Sequence, residues 1–367
     1  MDIHTTPKPG EPVALNLLGD LTSLFRTIVD IESVSGNEGP LADAIEDALR
    51  AFPHLHLRRD GDTIIARTET GRPSRVIVAG HLDTVPVADN LPSRLVDGVL
   101  YGRGTADMKG GIAVMLACAP LLSTPVRDIT WIFYDHEEVA AALNSLGRLG
   151  PADMAADFAI LTEPTSAGIE GGCQGTLRFE ITTHGLAAHS ARPWLGRNAI
   201  HDARDVLARL DGLTPREVDV DGLRYRESMS AVLIEGGVAT NVIPDRCVVT
   251  VNFRFAPDRD VEGAKQYCRE VFSDQDVTFV DAAPAAHPGL NDPVAQEFVA
   301  AVAGVPRAKY GWTDVARFAQ HGTPAVNFGP GDPAKAHADD ECCPVAELVV
   351  CRDALLAYFG GSSAVEN

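Results

Sequence analysis

Four short apolar runs, each followed by histidine or acidic residues, constrain the fold of this chain more than any other feature of its sequence. Runs of this length that are rich in valine and isoleucine predict buried strands. In an open α/β sheet, ligands bind just beyond the carboxyl ends of the strands. The sequence therefore predicts an α/β sheet whose strand ends carry a functional site. The four runs are Arg75–Gly80, Ile129–Tyr134, Phe158–Leu161 and Ala325–Phe328.

The residues after these runs, together with one acid from a glycine-rich stretch, are of the types that bind metals and transfer protons. That acid, Asp107, lies in the stretch Tyr101–Gly111, directly before an apolar helix, and glycines there allow the backbone to pass close to a neighbour. If Asp107 is considered alone, its position before a helix favours a simpler role as the N-cap of that helix. The complete candidate set is His81, Asp83, Asp107, Glu137, Glu138, Glu163 and His337.

These side chains predict a cation site if the fold brings them together. Two bare carboxylates about 5 Å apart repel by roughly 3 kcal/mol at an effective dielectric near 20, so a cluster of acids requires protons or metal ions. Two imidazoles with several carboxylates and no thiolate suit Zn²⁺, with Co²⁺ or Mn²⁺ as substitutes. Since the set exceeds the capacity of one tetrahedral ion, we expect two ions that share a carboxylate. For any single strand end, the alternative to a metal ligand is a polar side chain on an ordinary surface loop.

The adjacent acids Glu137 and Glu138 predict a division of labour. Neighbouring residues of an extended chain point to opposite sides, so one carboxylate can bind metal while the other faces the attacking water. A glutamate beside that water can take its proton and pass it to a leaving amine. Asp83, two residues after His81, is expected to hold the second ring nitrogen of that histidine and so fix its tautomer.

Composition limits the classes of partner. The 367 residues are 45% hydrophobic and 22% charged, as in globular proteins with room for two domains. The formal net charge of −20 argues against nucleic acids and anionic membranes as partners. The sequence has no apolar stretch long enough to span a membrane and no apolar core of a signal peptide near its beginning. Its seven cysteines lack CxxC spacing, and we expect a cytoplasmic protein.

The middle of the chain has a different order of elements. From Leu177 to Val280 the pattern predicts strand, helix, strand, strand, helix, strand, which is the order of a ferredoxin-like α+β domain. We therefore expect residues 177–287 to form a domain inserted into an α/β domain made of residues 1–176 and 288–367. A helix from Val345 to Phe359 is expected to complete the outer domain.

Five motifs together resemble a known family. They are His81-Leu-Asp83-Thr-Val-Pro86, Gly104-Thr-Ala-Asp107-Met-Lys109, Glu137-Glu138, Glu163-Pro164 and the late His337. The set is similar to that of the M20 metallopeptidase family of co-catalytic zinc amidohydrolases, and within it to the actinobacterial desuccinylases. The resemblance covers nearly the whole chain. It implies a mixed-sheet zinc-hydrolase catalytic domain with an inserted dimerisation or lid domain.

The resemblance also implies the metal ligands. Asp107 would bridge two Zn²⁺ ions. His81 and Glu163 would complete one metal site, and Glu138 and His337 would complete the other. The peptide bond after Asp107 would be cis.

Catalytic and substrate-binding positions follow from the same resemblance. Glu137 would be the general acid/base, Asp83 would orient a metal ligand, and His189 would reach the active site of a partner subunit in a homodimer. Arginine is the natural bidentate partner of a substrate carboxylate. The matching substrate-binding positions are Asn241, Arg254, Gly311 and Thr313.

These inferences predict a dizinc amide hydrolase that acts on a small anionic N-acyl amino acid. The expected reaction is removal of the succinyl group from N-succinyl-LL-2,6-diaminopimelate. Another activity of the family, such as acetylornithine deacetylase or dipeptidase, is one alternative. It is kept because the chain has Cys173 and Gln174 where some desuccinylases have arginines, a departure that bears on the acyl group. A non-catalytic binding protein on the same fold is the other alternative, and the complete ligand set with Glu137 argues against it.

Overall fold

The structure is a computed structural model that describes residues 13–302 and 304–360. The described residues divide into two compact units. The first unit contains the chain up to Gly171, the segment Gly289–Arg307, and the chain from Arg317 onward. The second unit contains Gly172–Pro288 and Ala308–Ala316.

An eight-stranded mixed sheet organises the first unit. Its third to sixth strands are parallel neighbours, and they correspond to the four apolar runs that the sequence predicts to be strands. Parallel strands end at the same edge of a sheet, so the residues that follow them are brought to one side. In spatial order the strands are His56–Asp60, Thr63–Arg67, Asp128–Tyr134, Arg75–His81, Phe158–Leu161, Ala325–Asn327, Glu170–Gly171 and Arg307–Ala308.

Helices pack against this sheet through apolar faces. The helix Leu21–Asp30 begins at Asp20, whose carboxylate accepts a hydrogen bond from the Ser23 N–H at 2.8 Å. All residues of the helix Gly110–Cys118 are buried, as expected for a helix that is apolar on every side. The other α-helices outside the second unit's core are Gly39–Leu49, Pro151–Met154, Pro293–Ala301, Val315–Gln320 and Val345–Gly360. A small sheet of Arg94–Val96, Val99–Tyr101 and Cys342–Pro344 lies in the same unit.

The second unit is an antiparallel four-stranded sheet with two helices. The strands lie in the spatial order Ser228–Gly236, Arg246–Phe255, Gly175–His184 and Asp276–Ala283. The helices Ala199–Asp211 and Val261–Val271 contribute to its hydrophobic core. Numbered along the chain, the strand order is 2-3-1-4, which is the ferredoxin-like arrangement. The predicted α/β class with an inserted α+β unit is confirmed.

The second unit also has parts that the sequence pattern does not predict. A hairpin joins Glu217–Val220 to Leu223–Arg226, and a short pair joins Ala188–His189 to Val242–Ile243. The segment Ala308–Ala316, which we expected in the outer domain, belongs to this unit. Main-chain and side-chain bonds hold it there: Gln174 N–H donates to the Lys309 carbonyl, and Trp312 Nε1–H donates to the Pro284 carbonyl.

No helix within residues 13–302 and 304–360 combines the length and the apolar character needed to cross a membrane.

Candidate metal centre and active site

The carboxyl ends of the central strands bring the expected metal ligands together in the first unit. His81 is the last residue of its strand, and Glu163 and Glu138 follow the strands on either side of it. These residues form three overlapping groups, and within each group one nitrogen or oxygen atom from every residue lies within 4.8 Å of the others. The groups are His81 with Asp107 and Glu163, Asp107 with Glu138 and His337, and His81 with Glu137 and Glu138.

The first of these groups, which we call the buried group, consists of His81, Asp107 and Glu163. The His81 side chain is 1% exposed, and its Nε2 lies 3.1 Å from Oδ1 of Asp107. Its Nδ1 lies 2.9 Å from the backbone carbonyl of Asp83, to which the ring N–H donates. This bond leaves Nε2 of the neutral imidazole free to bind a metal ion.

The second group, which we call the open group, consists of Asp107, Glu138 and His337. Nε2 of His337 lies 2.9 Å from Oε1 of Glu138 and 3.4 Å from Oδ2 of Asp107. The His337 side chain is 52% exposed, and its backbone has a φ of +65°, which is unusual for a residue other than glycine. Asp107 thus presents one carboxylate oxygen to each histidine, which is the arrangement expected of a bridging ligand.

The electrostatics of the site follow from this alternation of imidazoles and acids. Burial opposes the charged form of His81, but hydrogen bonds with Asp107 and Asp83 raise its pKa well above the usual value. Asp107 and Glu138 raise the pKa of His337 to about 10. Burial opposes ionisation of Asp107, but the two histidines lower its pKa well below the usual range. A metal ion must therefore compete with protons at both histidines.

Asp83 has a wider role than the expected orientation of one imidazole. The Asp83 carboxylate lies 3.5 Å from Nδ1 of His81, whereas the Asp83 backbone carbonyl lies only 2.9 Å from that nitrogen. The carboxylate instead accepts hydrogen bonds from the Ser35 hydroxyl at 2.7 Å and from the N–H groups of Glu137 and Glu138 at 3.0 and 2.9 Å. Burial opposes its ionisation, but His81 and these donors lower the Asp83 pKa to about 2. The buried anion therefore holds the segment that carries both glutamates.

The expectation that Glu137 and Glu138 point in opposite directions is wrong. Carboxylate oxygens of both lie in one group with His81. The reason is that this segment is not extended: His136 has a φ of +61°, and both glutamate N–H groups converge on Asp83. Both carboxylates therefore belong to the same side of the cluster.

Close glycine packing places the segments that carry Asp107 and Glu163. A Cβ atom on Gly111 would lie 2.2 Å from the Thr162 carbonyl oxygen, so only glycine fits beside the residue that precedes Glu163. The N-cap alternative for Asp107 is wrong, since the helix that follows begins after Lys109 and has no side-chain cap. The expected cis peptide bond between Asp107 and Met108 is present.

Two residues outside the predicted candidate set support this segment. Glu341 accepts hydrogen bonds from the N–H groups of Ala106 and Asp107 at 3.0 and 3.1 Å, and Arg103 forms a buried ion pair with it at 2.8 Å. No local pattern distinguishes Glu341 from the acids beside it in the sequence, because its partners lie more than 200 positions away.

In the second unit, His189 and Asn241 are neighbours. His189 pairs with Val242 in the short strand pair, and the Asn241 carbonyl accepts a hydrogen bond from the Ser190 N–H. The exposed His189 ring accepts the Ala191 N–H at Nδ1, at 3.0 Å. In the neutral ring the proton then lies on Nε2, which is a hydrogen-bond donor.

Arg254 and Thr313 both lie near the buried Cys173. The Cys173 thiol contacts the Thr313 carbonyl at 3.7 Å, and Arg254 interacts electrostatically with the same thiol. Burial lowers the pKa of the Arg254 guanidinium, and none of the described residues forms an ion pair with it. Gly311 is exposed. Arg254 is thus a partly desolvated cation suited to an external anion.

The donor set of the first unit fits divalent metal ions. Imidazole nitrogen and carboxylate oxygen are ligands that zinc accepts, and the three groups contain no thiol. The acids would otherwise repel one another, and Asp107 lies between the two histidines with one oxygen toward each. We conclude that the chain has a metal-binding centre.

Comparisons with known proteins agree with this geometry. A sequence profile described as peptidase family M20/M25/M40 matches residues 77–359. A Mycobacterium tuberculosis protein with the provisional name succinyl-diaminopimelate desuccinylase DapE is 52% identical over 353 residues, which cover 95% of this chain and 100% of that protein. Succinyl-diaminopimelate desuccinylase of Corynebacterium glutamicum is 48% identical over 366 residues, covering 96% and 98%. The crystal structure of aminopeptidase PepT from Bacillus cereus has the same fold, with a TM-score of 0.75, 19% identity, and coverage of 94% and 98%. The chain therefore belongs to peptidase family M20/M25/M40.

Proposed function

We propose that this protein is a dizinc amidohydrolase that cleaves N-succinyl-LL-2,6-diaminopimelate to succinate and LL-2,6-diaminopimelate. The observation that carries the proposal is the position of Asp107 between two histidines, with Glu137 in the same cluster. The names of relatives at 52% and 48% identity over nearly their full lengths support the choice of substrate.

In this proposal Asp107 would be a ligand shared by two ions. His81 and Glu163 of the buried group would hold one ion with it, and Glu138 and His337 of the open group would hold the other. When bound, the ions supply a Lewis acid that polarises the amide carbonyl and lowers the pKa of water to about 7. Asp83 keeps Glu138 and His81 in position through the hydrogen bonds described above.

Glu137 is the proposed general acid/base. Its carboxylate lies in the cluster without being needed as a ligand of either group, so it can accept a proton from the attacking water. It then returns that proton to the departing amine nitrogen. The N–H contact with Asp83 fixes the backbone from which this side chain reaches the water.

Residues of the second unit would bind and polarise the substrate. His189 offers an Nε2–H donor that can stabilise the developing oxyanion in the active site of a partner subunit. Arg254 offers a guanidinium that forms no ion pair with the described residues and can bind a substrate carboxylate, and Asn241, Gly311 and Thr313 would complete the polar contacts.

A homodimer through the second unit belongs to the same proposal. The strand Ser228–Gly236 is at an edge of its sheet, and Val232, Leu233 and Ile234 on it are exposed by 60%, 53% and 49%. An open strand edge with exposed apolar residues is a template for pairing with another chain. Leu233→Glu should convert the dimer to a monomer in sedimentation equilibrium. Val280→Glu, at the opposite edge of the sheet, is the matched control and should leave the dimer intact.

The test of the function is an assay of purified protein with added zinc against a small panel of N-acyl amino acids. The panel pairs N-succinyl and N-acetyl forms of diaminopimelate and ornithine, and adds a dipeptide. We expect the highest kcat/KM for N-succinyl-LL-2,6-diaminopimelate. A preference for acetyl amides or dipeptides would assign another activity of the family, and hydrolysis of none would contradict the proposal.

A further inference from the structure

Arg103 and Glu341 form a buried ion pair to which none of the proposed catalytic steps assigns a role. Their side chains are 4% and 1% exposed, and Nη1 of Arg103 lies 2.8 Å from Oε2 of Glu341. Burying two charges is costly unless their remaining hydrogen-bonding groups are also satisfied. The contacts of this pair therefore indicate what it holds in place.

Glu341 holds the segment of the bridging ligand. Its other oxygen, Oε1, accepts the N–H groups of both Ala106 and Asp107, at 3.0 and 3.1 Å. Its own N–H donates to the carbonyl of Ala338, the residue after His337. One residue thus connects the backbone of Asp107 to the loop that carries His337.

Arg103 extends this connection to two further segments. Nη1 of Arg103 donates to the Ala338 carbonyl at 3.2 Å, next to His337. Its Nε donates to the Pro86 carbonyl at 3.0 Å, at the end of the segment that begins with His81. The guanidinium is planar and presents its donors in a fixed fork, so it can set the distance between these segments.

We propose that the Arg103–Glu341 pair positions Asp107 relative to His337 and thereby sets the metal affinity of the open group. The inference rests on the proposed metal centre. His337 depends on this pair because it lies on a loop, its side chain is half exposed, and both members of the pair bind the carbonyl of Ala338, the next residue along the chain. The buried group depends on it less, because His81 ends a strand of the central sheet and is held by the Asp83 carbonyl.

The test measures zinc binding to metal-depleted protein by calorimetry and by competition with a chelating dye, which separates the first ion from the second. Loss of an outer hydrogen-bond partner of a metal ligand costs about 10- to 100-fold in affinity. Glu341→Gln should weaken binding of the second ion, the one held by the open group, by that factor. The affinity for the first ion, held by the buried group, should stay within about threefold. The visible spectrum of the Co²⁺-substituted protein should change for the second ion added and stay the same for the first.

Two further variants keep the inference falsifiable. Asp128→Asn is the matched control: Asp128 is a buried carboxylate that accepts backbone N–H groups at the opposite end of a central strand. It should lower the melting temperature without changing either metal affinity. If Glu341→Gln does not fold, Arg103→Lys retains the charge but cannot reach both carbonyls, and it should weaken the second ion alone.

Wild-type affinities for both ions in a folded Glu341→Gln or Arg103→Lys variant would overturn the inference, as would equal weakening of the two ions. Neither result would affect the proposed function if the wild type binds two ions and hydrolyses the substrate. Failure of the wild type to bind two ions would instead contradict the proposed metal centre.

Discussion

The buried and open groups share Asp107 but are constructed differently. His81 of the buried group ends a central strand, is enclosed, and is held by a backbone carbonyl. His337 of the open group lies on a loop, is half exposed, and has a left-handed backbone conformation. The two halves of one centre should therefore differ in affinity and exchange, with the open group binding its ion less firmly. A proton or a chelator from solvent can reach that half more easily.

The largest effect on activity should come from Glu137, which is a proposed ligand of neither half. Glu137→Ala should lower kcat by about 10²- to 10⁴-fold, because a positioned general acid/base contributes that much. Both ions should remain bound, as measured by metal analysis after gel filtration. Glu137→Gln, which keeps the shape, should behave alike. Substantial activity in either variant would show that another group transfers the proton.

Replacing one histidine at a time tests whether the halves are separable. His337→Ala should lower the affinity for the second ion only. The loss should exceed the factor of about 10 to 100 that removal of an outer hydrogen-bond partner costs, because a direct ligand is lost. His81→Ala should weaken the first ion and also lower thermal stability, since it leaves a cavity in a buried position. Calorimetric titration with zinc measures both. Identical binding curves for the two variants would contradict the distinction between the groups.

Gly111→Ala should damage the buried group specifically. The added Cβ would collide with the Thr162 carbonyl and displace the segment that carries Glu163. We expect a loss of about 1–3 kcal/mol in the free energy of unfolding, the usual cost of overpacking, together with weaker binding of the first ion. Gly150→Ala, where the added Cβ would make only an ordinary contact 3.9 Å from a carboxylate oxygen of Asp153, is the matched control for denaturant unfolding. An unchanged free energy of unfolding for Gly111→Ala would mean that the segment around Thr162 can shift to accept the added Cβ without loss of stability.

The smallest effect concerns pH. Below its pKa of about 10, His337 carries a proton that metal must displace, so the second ion should bind about tenfold more weakly per pH unit as the solution is acidified. Solvent reaches the half-exposed His337 more easily than the enclosed His81, so acid should release the open-group ion first. Dye competition at several pH values measures the order. Release of both ions at the same pH would contradict the proposed difference between the buried and open groups.

Much of the site was predictable because strand ends are a local signal. An apolar run predicts a strand, and the side chains that follow parallel strands meet at one edge of the sheet. His81, Glu138 and Glu163 were found in this way, and the order of elements between Leu177 and Val280 predicted the ferredoxin-like unit. Homodimerisation and the roles of His189, Arg254 and the remaining residues of the second unit stay predictions.

Sequence alone determined which residue types end the strands, and therefore that a metal centre would form where those ends meet. Tertiary structure decided how the centre is held. It turned Glu137 and Glu138 to the same side, made Asp83 the acceptor for their N–H groups, and placed Glu341 beneath Asp107. These contacts join segments from 54 to more than 200 residues apart, and periodicity carries no information over such separations. Only the folded backbone brings a donor and its acceptor within 3 Å of each other.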